Sequence, residues 1–336
     1  MIKRSDWFLV AAATAAFGLG YVVAEHKALG PDADDAFEDV GTQIHSSGRE
    51  LRPLAMEPST LGEEEALPAD IYIASRAAPD ASGAPRPGTG LQPAPWRRFA
   101  VAAAVPDGRP RIVIVIDDMG VDAKRTARAV RLPGPLTLAY LAYAHGGRRQ
   151  AATARAAGHE LLIHLPMEPL GYEDPGPDAL VTALTPDELR TRLARSLDRF
   201  TDYVGVNNHM GSKFTADLAA MTTVLTEVRD RGLLFLDSRT TNTSVGGTLA
   251  ESLGMPFAER NVFLDNIDDR AAVDSRLAET EDLARRHGHA IAIGHPRDAT
   301  LEALEAWLPN LAGRGFVLVP ISAVVHNGYP ERARSP

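Results

Sequence analysis

From residue 111 onward the chain repeats one pattern: an apolar run followed at once by polar groups able to do chemistry. IVIVI leads into Asp117-Asp118, ELLI into His164, YVGV into Asn207-Asn208-His209, LLFL into Asp237-Ser238 and AIAI into Gly294-His295. Two adjacent carboxylates repel one another unless a cation or a shared proton relieves them, which makes the Asp117-Asp118 pair a site candidate. The chain has no cysteine, so any metal must be held by histidine, aspartate or glutamate. An aspartate of the pair, with His164 and either His209 or Glu168, makes a ligand set suited to Zn2+ or another divalent ion that keeps a position open for water. Glu168 enters through the spacing of HLPME, which brings it near His164 if the chain turns back after Pro166. Metal-assisted hydrolysis is the chemistry such a set supports. Asn208, Asp237 and Ser238 are candidate substrate-binding groups, although Asp237, like Asp265 in VFLDN, could equally orient a histidine or cap a turn. His159 stands at the entry of the run that ends in His164 and is read as structural.

The apolar runs must be strands. Ile112 to Ile116 are all β-branched and leave no polar face, as in a parallel-sheet strand covered on both sides. Further strands are expected over 136–141, 160–163, 203–206, 233–236, 290–293 and 316–319, with helical patterns between them. TPDELRTRLARSLDRF is the clearest helix: Thr185 is its N-cap, Pro186 its first residue, Glu188 completes a capping box, and Leu189, Leu193 and Leu197 form one stripe. Another helix is expected over 216–231. Alternating strands and helices indicate a parallel α/β fold. Polar groups at the ends of five strands favour a closed or nearly closed β/α barrel of about seven strands, where those ends share one mouth. An open doubly wound sheet would use only some of them. No glycine-rich phosphate loop follows the first strand, which argues against a nucleotide.

The whole chain is 336 residues long, 45% hydrophobic and carries a formal charge of -9, with no basic patch for a nucleic-acid backbone. Lys3 and Arg4 precede an uncharged apolar run from Trp7 to Val23. Residues 1–24 are therefore an export signal cleaved after Ala24 or a transmembrane anchor, with retention favoured. Either role directs the rest of the chain to the periplasm or cell envelope, with a membrane contact if the segment is uncleaved. Residues 25–110 are rich in alanine, proline, glycine and acids and show no sustained period, which predicts a disordered tether. Within it, 69–76 is a candidate short strand or binding segment. The catalytic domain is expected over 111–325 and a disordered tail over 326–336.

IVIVIDDMG, GHELLIHLPMEP, VGVNNHMGS, LFLDSRTT and AIAIGHP together resemble the divergent polysaccharide deacetylase family, which is similar in fold to the NodB-type carbohydrate esterases. The resemblance implies a distorted (β/α) barrel and a metal-dependent hydrolase that removes acetyl groups from N-acetylated sugars of an envelope polysaccharide or peptidoglycan-type glycan. It also implies roles: Asp117 as general base, Asp118 as metal ligand, His164 as the first metal-binding histidine and His295 as general acid. The second histidine of that motif is Glu168 here, and the arginine-proline-tyrosine loop is replaced by Asn207 to Ser212. His209 is the candidate replacement ligand, with Glu168 as the alternative. These departures keep a second reading open, a catalytically weak barrel that binds an envelope glycan or protein. Hydrolysis of a different bond, such as an ester or peptide, is a third.

Overall fold

The structure is a computed structural model and describes residues 93–103 and 108–326. It contains strands β1 (Arg111–Met119), β2 (Thr137–Leu141), β3 (Glu160–Met167), β4 (Gly205–Met210), β5 (Leu234–Asp237), β6 (Phe257–Glu259), β7 (Val262–Phe263), β8 (His289–Gly294) and β9 (Val317–Leu318). The helices are α1 (Pro95–Arg98), α2 (Ala123–Val130), α3 (Gly147–Ala156), α4 (Pro186–Leu197), α5 (Leu218–Asp230), α6 (Gly246–Ser252), α7 (Arg270–His287) and α8 (Asp298–Trp307). The strands form one parallel sheet in the order β6-β5-β4-β3-β2-β1-β8-β7, and β9 pairs with the start of β1.

Every expected strand is present, but the described sheet has nine strands rather than about seven. The additions are β6 and β7, three and two residues long, too short to show a period. They lie at opposite ends of the strand order yet are separated only by Arg260 and Asn261. The Arg260 N–H donates to Asp237 O on β5 (3.0 Å), and the Asn261 N–H donates to Ile291 O on β8 (2.9 Å). Adjacent amides thus reach the strands next to the two edges, and the curled sheet comes round on itself in the manner of a NodB-like barrel.

Side chains alternate between two cores, as the pleat requires. Ile112, Ile114 and Ile116 join Leu161 and Ile163 in the large cluster that also holds Leu189, Leu193 and Leu225 of the helices. Val113, Val115, Ala139, Leu162, Leu236, Ile291 and Ile293 form a smaller cluster on the inner face. Burial of both faces explains why β1 shows no polar alternation. The α4 capping box is formed, with the Thr185 N–H donating to Glu188 Oε2 at 2.8 Å. Helix α5 starts two residues later than expected because Asp217 caps it through the Ala220 N–H.

Part of the expected tether lies within the described residues. Residues 25–92 and 104–107 lie outside the described residues, as does the candidate segment 69–76, but 93–103 belong to the folded body. Trp96 and Phe99 pack against the inner cluster, and the Val101 N–H donates to the buried Glu160 carboxylate at 3.0 Å. At the other terminus His326 pairs with Phe257 through two backbone hydrogen bonds, and 327–336 lie outside the described residues. The apolar segment 7–23 is also outside them. Among the described residues no helix is long and apolar enough to cross a membrane.

Candidate metal centre

Inner-face alternation carries through to the strand ends, so the inward positions there include Asp117, His164, Asn207, Ser238 and His295. The register aligns His164 with Asn207 and Pro166 with His209, which places His209 one inward position beyond Asn207. Asp118 arrives by a different device. Between Ile116, paired with Leu138, and Met119, paired with Tyr140, β1 spends one residue more than β2. This bulge, with Asp118 at φ 54°, turns a residue that would face the helices toward the mouth. Met210 (φ 52°) and Arg239 (φ 50°) take left-handed conformations at the ends of β4 and β5. Non-glycine residues in that region cost about 1–3 kcal/mol each and persist only where their surroundings demand it.

The result is a compact ligand set. Asp118 Oδ1 lies 2.9 Å from His209 Nδ1 and 3.4 Å from His164 Nε2, and those two nitrogens are 3.3 Å apart. Asp118 Oδ1 is buried and has no hydrogen bond of acceptable geometry, despite these short approaches. An orphaned carboxylate oxygen facing two ring nitrogens is what a divalent ion would satisfy, and one carboxylate with two imidazoles is a zinc-type donor set. Asn207 supports it from behind. Its side-chain oxygen sits 2.9 Å from His164 Nδ1, and its amide donates to Asp117 Oδ1 (2.8 Å) and Ser238 Oγ (3.2 Å). With the proton on Nδ1, His164 Nε2 is left with a lone pair for a metal.

Burial pushes the Asp117 carboxyl above its ordinary range, against the pull of His164, His295 and the Asn207 hydrogen bond. For Asp118 burial acts in the same upward direction, but the close ring nitrogens of His164 and His209 hold it well below that range. His164 is raised because, against its burial, both carboxylates favour the charged ring. Across the mouth, His295 Nδ1 lies 2.9 Å from Oδ1 of the fully buried Asp265. Asp265 Oδ2 accepts from the His295 N–H (2.6 Å) and the Thr300 hydroxyl (2.7 Å). Burial opposes charge on His295, and the Asp265 carboxylate outweighs it, so the ring is raised. His295 Nε2 points into the centre, 3.8 Å from Asp118 Oδ2. A cavity of about 610 Å³ opens over these groups.

Not every predicted residue joins. Glu168 is drawn away: β3 runs straight through Pro166 to Met167, and the Glu168 carboxylate is taken by Lys213 Nζ and by the Thr182 N–H and hydroxyl, each at 2.7 Å. Asp237 is one residue out of phase with Ser238, so it is fully buried on the helical side. There it accepts from the Arg239 N–H (2.8 Å) and the Ser244 hydroxyl (2.6 Å). Asn208 borders the cavity, but its side chain donates to Met210 O within β4 (2.8 Å) and ties β4 to the turn after β5 by accepting from the Ser238 N–H (2.9 Å). Ser238 borders the cavity and accepts from Asn207. His159 is structural as expected, its Nδ1 accepting from the Leu136 N–H (3.2 Å) and its Nε2 donating to Val130 O (2.9 Å). Sequence reasoning passed over Asn207, although a count of two back from His209 would have put it on the inner face.

The model of the divergent polysaccharide deacetylase family matches residues 114–325, which span all of these groups. The chain belongs to that family. The chain is 32% identical over 259 residues to the uncharacterized protein YibQ of Escherichia coli, covering 72% of this chain and 81% of the relative. It is 36% identical over 201 residues to an uncharacterized protein of Haemophilus influenzae, covering 60% of this chain and 72% of that protein. A solved structure of an uncharacterized Agrobacterium tumefaciens protein superposes with a TM-score of 0.67 at 33% identity, covering 68% of this chain and 94% of that one.

Proposed function

We propose that this protein is a zinc-dependent hydrolase that removes acetyl groups from N-acetylated sugars of an envelope polysaccharide or peptidoglycan-type glycan, acting on the exported side of a membrane. The observation that carries this reading is the convergence of three groups on one cavity. They are the Asp118-His164-His209 set, the buried carboxyl of Asp117 beside it, and the Asp265-supported His295 opposite.

Asp118, His164 and His209 would hold the ion, which when bound supplies Lewis acidity toward the amide carbonyl and toward water. Asp117 makes no contact in that set except at 3.6 Å from His164 Nε2, and Asn207 fixes its Oδ1. Its carboxylate is placed to take a proton from the attacking water, and its raised affinity for protons suits a base. His295, held with Nε2 toward the centre, is placed to give a proton to the departing nitrogen as the carbon–nitrogen bond breaks. Water adds to the acetyl carbon, acetate leaves as one product and the free amine as the other. The uncharged apolar run from Trp7 to Val23 behind Lys3 and Arg4 supports an envelope location.

The test is metal content and acetate release measured on one sample of the full chain, beside His164→Ala and His209→Ala, with acetylated chito-oligosaccharides. One equivalent of metal, lost in both variants together with turnover, is the expected result. Neither metal nor turnover would replace this reading with the glycan- or protein-binding barrel.

A further inference from the structure

The chain is acidic overall, yet one arc of the cavity is cationic. Arg239 follows β5, Arg260 joins β6 to β7, and Arg297 follows β8, and all three border the cavity. The ligand set comes from β1, β3 and β4, on the remaining arc. Elsewhere on the described surface arginines are commonly neutralised by carboxylates, as Arg128 is by Glu305 and Arg285 by Glu281. Two of the cavity arginines are held differently. Arg260 donates through Nε to Ser238 O (2.6 Å) and through a terminal nitrogen to Arg239 O (2.7 Å), with its guanidinium 5.0 Å from the Phe263 ring centroid. Arg297 donates to the backbone oxygen of Asp265 (2.7 Å). Backbone carbonyls orient a guanidinium without cancelling its charge. Arg239 alone has a carboxylate partner, Glu259 at 3.1 Å, on a side chain that is 36% exposed.

Arg260 feels the Asp117 and Asp237 carboxylates at longer range, but neither it nor Arg297 has a carboxylate among its hydrogen-bond partners. Fixing guanidinium groups this way beside a pocket costs desolvation energy that an anionic ligand recovers, and a planar guanidinium matches an oxoacid group in particular. We infer that Arg260 and Arg297, with Arg239 at the rim, form a subsite for an anionic oxoacid group carried by the substrate next to its amide, a carboxylate or a phosphate on an acetamido sugar. The inference rests on the cavity being the hydrolase site proposed above. A plain neutral chitin-type chain leaves this arc of the cavity without a partner.

Three tetrasaccharides test it by calorimetric titration of the zinc-loaded full chain: neutral N-acetylglucosamine, the same chain with lactyl carboxylates on alternate sugars, and a singly phosphorylated one. At least one acidic ligand is expected to bind about tenfold or more tightly than the neutral one, with the advantage shrinking as salt rises. Whichever acidic ligand gains more identifies the oxoacid. Arg297→Gln should bring the acidic-to-neutral ratio down toward one. Arg260→Gln should do the same, but it also breaks two carbonyl contacts, so Arg260→Lys and Arg297→Gln keep the test valid if that protein does not fold. Equal affinity for all three ligands, or an Arg297→Gln protein with an unchanged ratio, overturns the subsite. Acetate release is followed separately. Selective binding without release would overturn the hydrolase reading and leave the anion site standing, whereas release with no selectivity would do the reverse.

Discussion

Replacing Asn207 with alanine removes the support of the candidate metal centre without altering any of its three proposed ligand atoms. Asn207 is fully buried and bridges Asp117 Oδ1 and His164 Nδ1, both in side chains almost without solvent contact. The variant leaves those two atoms unpartnered. Each buried group left without a partner costs about 1–3 kcal/mol, or about 4 kcal/mol for the pair. For a folded body of this size that corresponds to a fall in Tm of about 8–16 °C in the metal-free protein. Freed of its hydrogen bond, the His164 ring loses its fixed tautomer and orientation, and zinc affinity should fall about 10–100-fold. Competition with a chromophoric chelator measures the affinity, and thermal unfolding in EDTA measures the stability. Asn208→Ala is the matched control: it breaks contacts of the same kind to Met210 and Ser238 but touches no ligand, so it should lower Tm and spare the affinity. An Asn207→Ala protein that binds zinc as tightly as the parent while Tm drops would refute the supporting role and leave Asn207 as packing alone.

Three further outcomes are expected. Glu168→Gln should keep a full equivalent of metal, whereas His209→Ala should lose it, because the Glu168 oxygens are engaged by Lys213 and Thr182; elemental analysis of the two dialysed proteins distinguishes them. In metal-free protein His295 is raised by its place in the fold, so its contribution to stability is complete below the unfolded value of about 6.5 and is lost as pH rises through the folded one. Asp265→Asn should remove that contribution, and urea midpoints between about pH 6 and 9 should then fall less steeply with pH than in the parent. Gly205→Ala should destabilise by about 2–3 kcal/mol, read from the same midpoints, since a Cβ there would stand 2.2 Å from the Leu234 carbonyl oxygen, a backbone atom with no easy retreat.

Much of this was legible in the sequence because strand ends in a parallel barrel concentrate chemistry, and five apolar runs each ended in a polar group. The seven expected strands, the α4 capping box and the Asp117, Asp118, His164, His209 and His295 positions all follow from local pattern. What the pattern hid has physical causes. The β6 and β7 pieces are shorter than any period. The choice between His209 and Glu168 turned on whether the chain reverses after Pro166, and β3 instead continues straight, which the alternation alone does not reveal. Asp237 and Ser238 are adjacent in sequence but face opposite sides, so only the register tells which one meets the cavity. The reach of Asp118 depends on a bulge, and a bulge is a relation between two strands that neither announces by itself.

The position of β1 also fixes when the centre can come into being. Its neighbours are β2 on one side and β8 on the other, with Arg111 aligned to His289 and, at the start of the strand, to Val317. A chain that has emerged only as far as β4 already holds Asp118, His164 and His209, but the strand carrying the two aspartates still lacks half its hydrogen bonds. Pairings across such sequence separations make folding slow, because the entropy of closing the long loop is spent before the contacts reward it. A chain truncated before β8 leaves one edge of β1 unpaired, and it should emerge as an aggregation-prone fragment rather than a smaller working protein.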